Sequence, residues 1–139
     1  MPHNNAPLIG RLLVVDDNPI NRIVIKAMVQ RMGGQITEAV DGQQGVDAVM
    51  GGERFDLVLM DVQMPLLDGY DATRRIRQWE QENFRPRLPI VALTADACEA
   101  DRRRARESGM DDCLAKPLKF EELRALFARW IPAQPPRSD

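Results

Sequence analysis

One histidine, His3, and two cysteines, Cys98 and Cys113, are all the imidazole and thiol in this chain of 139 residues. His3 stands in a polar leader, MPHNNAPLIG, where it cannot serve a core site as catalytic base or phosphorylated imidazole. The cysteines form neither a C-x-x-C pair nor a metal-ligand spacing, which excludes a disulfide framework and points to a reducing compartment. Positive charge is not in excess either: the formal net charge is −2. With no recognition-helix motif and no aromatics interleaved among the arginines, nucleic acid is not expected as a partner. No apolar run approaches the roughly 20 residues of a membrane span, and the start lacks a signal-peptide pattern. Neither G-x-x-x-x-G-K-[ST] nor G-x-G-x-x-G occurs, which removes the common nucleotide-binding loops.

What remains is a composition 44% hydrophobic and 29% charged, that of one ordinary globular domain. Short Val/Ile/Leu runs alternate with segments of helical period. Leu12 to Val15 is a continuous apolar run ending in acids, the mark of a strand covered on both faces. Asn18 and Pro19 then open a helix whose Ile20, Ile23, Val24, Ala27 and Met28 share one stripe, and Gly33-Gly34 closes it. Further strands are expected at Gln35–Ala39, Asp56–Met60, Leu88–Leu93 and Asp112–Ala115. Helices fall between them, at 42–50, 68–81 and 98–108, and a last one carries Phe120, Leu123, Phe127 and Trp130 on one face. Five βα units predict a doubly wound parallel sheet, because each helix supplies the crossover that parallel neighbours need. Residues 1–10 and the Pro-rich 132–139 read as disordered or linker tails around a domain over 11–131. The arginines of 102–104 and of 74, 75 and 77 read as solvated helix faces.

The chemistry gathers where the strands end. Strand one ends in Asp16-Asp17, strand three in Asp61, strand four in Thr94 and strand five in Lys116-Pro117. Ligands of such sheets bind outside the carboxyl ends of the strands. Each residue alone has a plain structural use, as a cap, a turn or a solvated side chain. Together they form a set fitted to one reaction, phosphoryl transfer to a carboxylate. Three close carboxylates need a cation, and Mg²⁺ takes all-oxygen ligands. Asp61 can attack phosphorus, Lys116 can balance the charge that develops, and Thr94 can donate a hydrogen bond. Ala95 is small and leaves room for a donor.

The segments LLVVDDNPINR, DLVLMDVQMPLLDGYDATRRIR, LPIVALTADA and GMDDCLAKPL resemble those of response-regulator receiver domains, most closely receivers of hybrid histidine kinases. The resemblance implies a flavodoxin-like (βα)5 fold with strand order 2-1-3-4-5. It implies that Asp61 is phosphorylated and that Asp17 binds Mg²⁺ directly, with Asp16 assisting, often through water. The backbone carbonyl of Gln63 would be a further metal ligand. Thr94 and Lys116 would contact the phosphoryl group, and the bond before Pro117 would be cis. Gln63 and Asp96 would tune how long the phosphoryl group survives. The implied donor is a histidine kinase core or a histidine phosphotransfer domain, met around Asn18 to Ile25. The chain would act in the cytoplasm, either free or as the cytoplasmic part of a membrane-bound kinase, with no direct membrane contact. Its catalysis would be limited to its own phosphorylation and dephosphorylation.

One position departs from the family. Cys113 stands where most members carry an aromatic residue that swings inward on phosphorylation. A thiol is smaller, so the aromatic half of that switch is expected to be absent and the conformational shift smaller, as suits a relay domain. Two other readings stay open. A Mg²⁺-dependent phosphohydrolase would carry a second acid where Gln63 stands. A non-phosphorylated, receiver-like interaction module would have lost its acids or its lysine, and all are present.

Overall fold

Two strands of this chain are made of buried residues alone. β3 (Leu57–Asp61) and β4 (Ile90–Thr94) are buried from end to end. In the computed structural model, which describes residues 10–95 and 98–131, they are central strands of a five-stranded parallel sheet. A parallel strand covered by helices on both faces has no solvent side, so it reads as an apolar run without polar alternation. The order is β2-β1-β3-β4-β5, with β1 at Arg11–Val15, β2 at Gln35–Ala39 and β5 at Asp112–Ala115. The expected order and fold are therefore those observed. The starts expected for the third and fourth strands lie one and two residues too early, and the terminal Asp61 and Thr94 belong to the strands. The tails expected at 1–10 and 132–139 lie outside the described residues, apart from Gly10.

Successive strand residues point to opposite faces, so the core divides in two. Leu13, Val15, Val58, Met60, Ile90 and Ala92 pack with α2 (Gly42–Met50), α3 (Gly69–Glu82) and α4 (Glu99–Ser108). Leu12, Val14, Leu57, Leu59, Val91 and Leu93 pack with α1 (Pro19–Arg31) and α5 (Phe120–Trp130). The layers are thus α1 and α5, the sheet, and α2 to α4. All five strand ends lie on one rim, because every strand runs the same way.

Helix α1 starts as expected. The Asn18 side chain accepts from the backbone N–H groups of Ile20 and Asn21 at 2.8 and 3.4 Å, and Pro19 takes the first helical position, where its missing N–H costs nothing. Of its expected apolar stripe only Met28 packs against the core. Ile25, Val29 and Met32, spaced by four and three, face the sheet, whereas Ile20, Ile23 and Val24 are 65%, 63% and 43% exposed. Only the C-terminal half of the helix lies flat on the core.

The arginines of α3 do not all behave as a solvated face. Arg74 and Arg75 are solvated, but Arg77 is turned inward, its side chain only 12% exposed. It donates to Glu80 at 3.0 Å and Asp111 at 2.8 Å, and to the carbonyls of Leu88 and Gly109, both at 2.8 Å. Arg87 closes the group on Asp111. Leu88 N–H donates to Glu80, and Ile90 N–H donates to Asp111. This network ties the end of α3 to the starts of β4 and β5, on the rim opposite the strand ends. Arginine buries readily in such a role because its planar fork meets several acceptors at once.

Candidate functional site

Asp16 follows β1, Asp61 ends β3, Thr94 ends β4 and Lys116 follows β5, so parallel pairing alone brings them to one rim. Thr94 lies opposite Ala115 and Asp61 opposite Leu93 in the sheet registers. Lys116 Nζ is 3.1 Å from Asp61 Oδ1 and 3.5 Å from Asp16 Oδ2. Carboxylate oxygens of Asp16, Asp17 and Asp61 all lie within 4.8 Å of one another, the one such acidic cluster among the described residues. Asp16 and Asp61 are buried and Asp17 is exposed.

The Asp61 carboxyl is pushed above its ordinary range, chiefly by burial. The backbone N–H of Gln63, donating at 3.1 Å, opposes this, the charge of Asp16 adds to it, and Lys116 opposes it again. One ammonium among three carboxylates leaves the site short of positive charge. The donor set is all oxygen, which suits a small hard dication such as Mg²⁺. A cation at this rim would meet the residues it needs.

Two further features shape the mouth. Gly69 opens α3 against the loop that follows Asp61, where an added Cβ would sit 2.2 Å from the Asp61 carbonyl oxygen and 2.9 Å from Val62 Cα. Only glycine lets the helix come that close. Asp68 caps the same turn by accepting from Asp71 N–H at 2.9 Å. Beside Thr94 a cavity of about 600 Å³ is lined by Gln63, Met64, Tyr70, Ala95 and Arg104. Arg104 lies over the Tyr70 ring, 4.5 Å from its centroid, so this arginine too is not simply solvated.

Cys113 is buried under Thr94, with Sγ 3.9 Å from Oγ1. Burial pushes the thiol up, against a smaller opposing effect of the Thr94 hydrogen bond. A protonated, buried thiol behaves as a small hydrophobe. The Lys116–Pro117 peptide is cis. Asp96 lies outside the described residues. Gly69 carried no expected role in the sequence, and Asn21 and Arg22 were expected only as part of the stretch that meets the donor, with no role at the acids. Asn21 and Arg22 belong to the segment NPINR, and their polar side chains beside a strand-end acid were the available signal.

Residues 12–128 match the family described as the response regulator receiver domain. This chain belongs to that family. Among curated proteins, the receiver is 46% identical over 120 residues to the sensor protein GacS of Pseudomonas syringae pv. syringae, covering 86% of this chain and 13% of that protein. It is 40% identical over 113 residues to the sensor histidine kinase RcsC of Escherichia coli (strain K12), covering 81% and 11%. The chain thus spans about an eighth of the length of these relatives. Among solved structures, it resembles the receiver domain of the sensor histidine kinase PA1611 from Pseudomonas aeruginosa PAO1, which holds a magnesium ion in its active-site cleft. That likeness has 45% identity and a TM-score of 0.77, over 88% of this chain and 98% of the other. It also resembles the receiver domain of Ssk1 from Saccharomyces cerevisiae, in a complex with the histidine phosphotransfer protein Ypd1. There the identity is 31% and the TM-score 0.82, over 86% and 87% of the two chains. No helix among the described residues is long and apolar enough to cross a membrane.

Proposed function

We propose that this receiver takes a phosphoryl group from a phosphohistidine onto Asp61 in a Mg²⁺-dependent reaction, then relays it or signals with it. The observation that carries the reading is the charge-deficient rim: three carboxylates within 4.8 Å of one another and a single lysine 3.1 Å from Asp61. Mg²⁺, held by Asp16, Asp17, Asp61 and the Gln63 carbonyl, would supply the positive charge that offsets these carboxylates and the incoming phosphoryl oxygens.

The protein groups divide the remaining work. A carboxylate oxygen of Asp61 forms the new O–P bond while the N–P bond of the donor breaks. The electron pair returns to the donor imidazole nitrogen. Lys116 balances charge on the transferring group, and the Thr94 hydroxyl donates to one of its oxygens. Ala95 leaves the approach open. Gln63 and Asp96 would tune the lifetime of the product. Cys113 leaves Thr94 without an aromatic neighbour from β5, which favours relay over a large conformational response.

The donor would be a histidine kinase core or a histidine phosphotransfer domain on the cytoplasmic side of the membrane. It would dock on the apolar patch of Ile20, Ile23 and Val24. A cavity of about 240 Å³ runs from that patch, past Pro117 and Leu118, to Asp16 and Lys116. An apolar helix seated there would carry its histidine to the acids, in the helix-in-groove manner.

The test is intact mass after incubation with Mg²⁺ and a small acyl phosphate. Wild type should gain one phosphoryl adduct, which chelation of Mg²⁺ or Asp61→Asn abolishes. An unmodified wild type, with a beryllofluoride mimic also failing to bind, would leave a receiver-shaped interaction module.

A further inference from the structure

Helix α1 shows an apolar patch to solvent, and between those residues it sends two polar side chains the other way. Arg22 Nη1 donates to the Asp16 backbone carbonyl at 2.6 Å, and its Nε donates to Glu38 on β2 at 3.1 Å. The Arg22 side chain is only 14% exposed and its bond to the Asp16 carbonyl is partly buried, whereas Glu38 lies at the surface. Asn21 Nδ2 donates to Asp16 Oδ2 at 3.3 Å, and the backbone N–H of Asn18 donates to Asp16 Oδ1 at 2.9 Å. Each oxygen of Asp16 is therefore tied to the first turns of α1. Asp16 is itself fully buried, so it cannot exchange these partners for water.

The consequence reaches the neighbouring acid. Asp17 lies between Asp16 and the helix cap, and the pull of Arg22 on the Asp16 carbonyl fixes the peptide plane that leads into it. A guanidinium bonded to a carbonyl makes a charge-assisted hydrogen bond, stronger than the neutral one a water would make. Glu38 holds the other side of the guanidinium and stops it swinging out. Groups that orient a ligand without touching the metal commonly govern affinity as strongly as the ligands do.

We propose that Arg22 and Asn21 are positioning residues for the cation site, holding Asp16 and the loop bearing Asp17 in the attitude that takes Mg²⁺. The inference rests on the reading that these acids bind the ion. Arg22 acts on the backbone and Asn21 on the carboxylate, so their losses are separable.

The experiment titrates Mg²⁺ calorimetrically into wild type, Arg22→Ala, Arg22→Lys, Asn21→Ala and Arg74→Ala, each shown folded by circular dichroism. Arg22→Ala should weaken Mg²⁺ binding by about 10–100-fold, the range for lost orienting partners. Arg22→Lys should recover part of this, since an ammonium can reach the carbonyl or Glu38 but not span both. Asn21→Ala should fall between, and Arg74→Ala, whose ion pair with Asp71 is solvated, should match wild type. The Mg²⁺ concentration that half-saturates phosphorylation should rise in step, with the saturated rate recovered. Folded Arg22→Ala and Asn21→Ala proteins that bind Mg²⁺ like wild type overturn the inference alone. If Arg22→Ala fails to fold, Arg22→Lys and Asn21→Ala decide the matter in the same way. A wild type that binds no Mg²⁺ overturns the metal reading and this inference together.

Discussion

The two rims of the sheet carry charge of opposite kinds of order. On the rim before the strands, Arg77 and Arg87 meet Glu80 and Asp111, two cations for two anions, and backbone N–H and carbonyl groups fill the remaining bonds. On the rim after the strands, Asp16, Asp17 and Asp61 face one lysine. Each group has a buried part, Glu80 and Asp111 with Arg77 on one rim and Asp16 with Asp61 on the other, and one exposed member, Arg87 or Asp17. The first is complete and can only hold the fold together. The second is short of positive charge, and the proposed Mg²⁺ would complete it. A buried charge cluster with its sum at zero is a brace, and one with a remainder is a binding site.

The comparison is broken most sharply at the brace. Arg77→Met leaves Glu80 and Asp111 buried without their shared cation and should cost about 3–5 kcal/mol. The urea midpoint should fall with the slope unchanged. A loss under about 1 kcal/mol would mean that water replaces the arginine and the rim is not a closed network.

At the site rim the same logic runs in reverse, and pH exposes it. The folded Asp61 carboxyl titrates above its ordinary value of 3.8, so the folded chain keeps a proton that the unfolded chain has released. Its contribution to stability is present below that ordinary value and lost as pH rises through the raised folded one. Without Mg²⁺, Asp61→Asn should therefore be more stable than wild type at neutral pH and lose that advantage in acid. With Mg²⁺ at a hundred times its Kd, wild type should gain about 2.7 kcal/mol at neutral pH, and Asp61→Asn less. Thermal unfolding across pH, with the ion and with a chelator, reads both.

The smallest effects come from one residue near each rim. Leu66 and Phe84 hold left-handed backbone, with φ of 72° and 53°, while their side chains are exposed. Asparagine tolerates that region better than either, so Leu66→Asn and Phe84→Asn should each raise stability by up to about 1 kcal/mol. Only Leu66→Asn, in the loop after Asp61, should also alter phosphorylation by a protein donor.

The site rim was legible in the sequence because its residues sit at fixed places, at the end of every strand except the second. A parallel sheet turns that pattern into proximity without any further information. The brace was not legible. Arg77 stands in a helix with Arg74 and Arg75, and nothing in the spelling TRRIR says which of them turns inward. That depends on where Glu80, Leu88 and Asp111 fall in space. The stripe of α1 misleads for a similar reason: Ile20, Ile23 and Val24 have the right period, but the helix leans on the sheet only from Ile25 onward. Periodicity marks an apolar face without saying what covers it. Here the uncovered half is the surface proposed for docking. Cys98 and Cys113, whose spacing fits no pairing, are both free thiols.

Asp61 closes a strand that is buried along its whole length and flanked by β1 and β4. Its backbone cannot fray by itself, because any opening that reaches it must part the middle of the sheet. Amide exchange at this residue should therefore report the unfolding of the whole domain, while the loop from Gln63 to Asp68 exchanges and is nicked by proteases far sooner. Asp61 should thus open only with the middle of the sheet, whereas the loop that follows it can open without parting a strand.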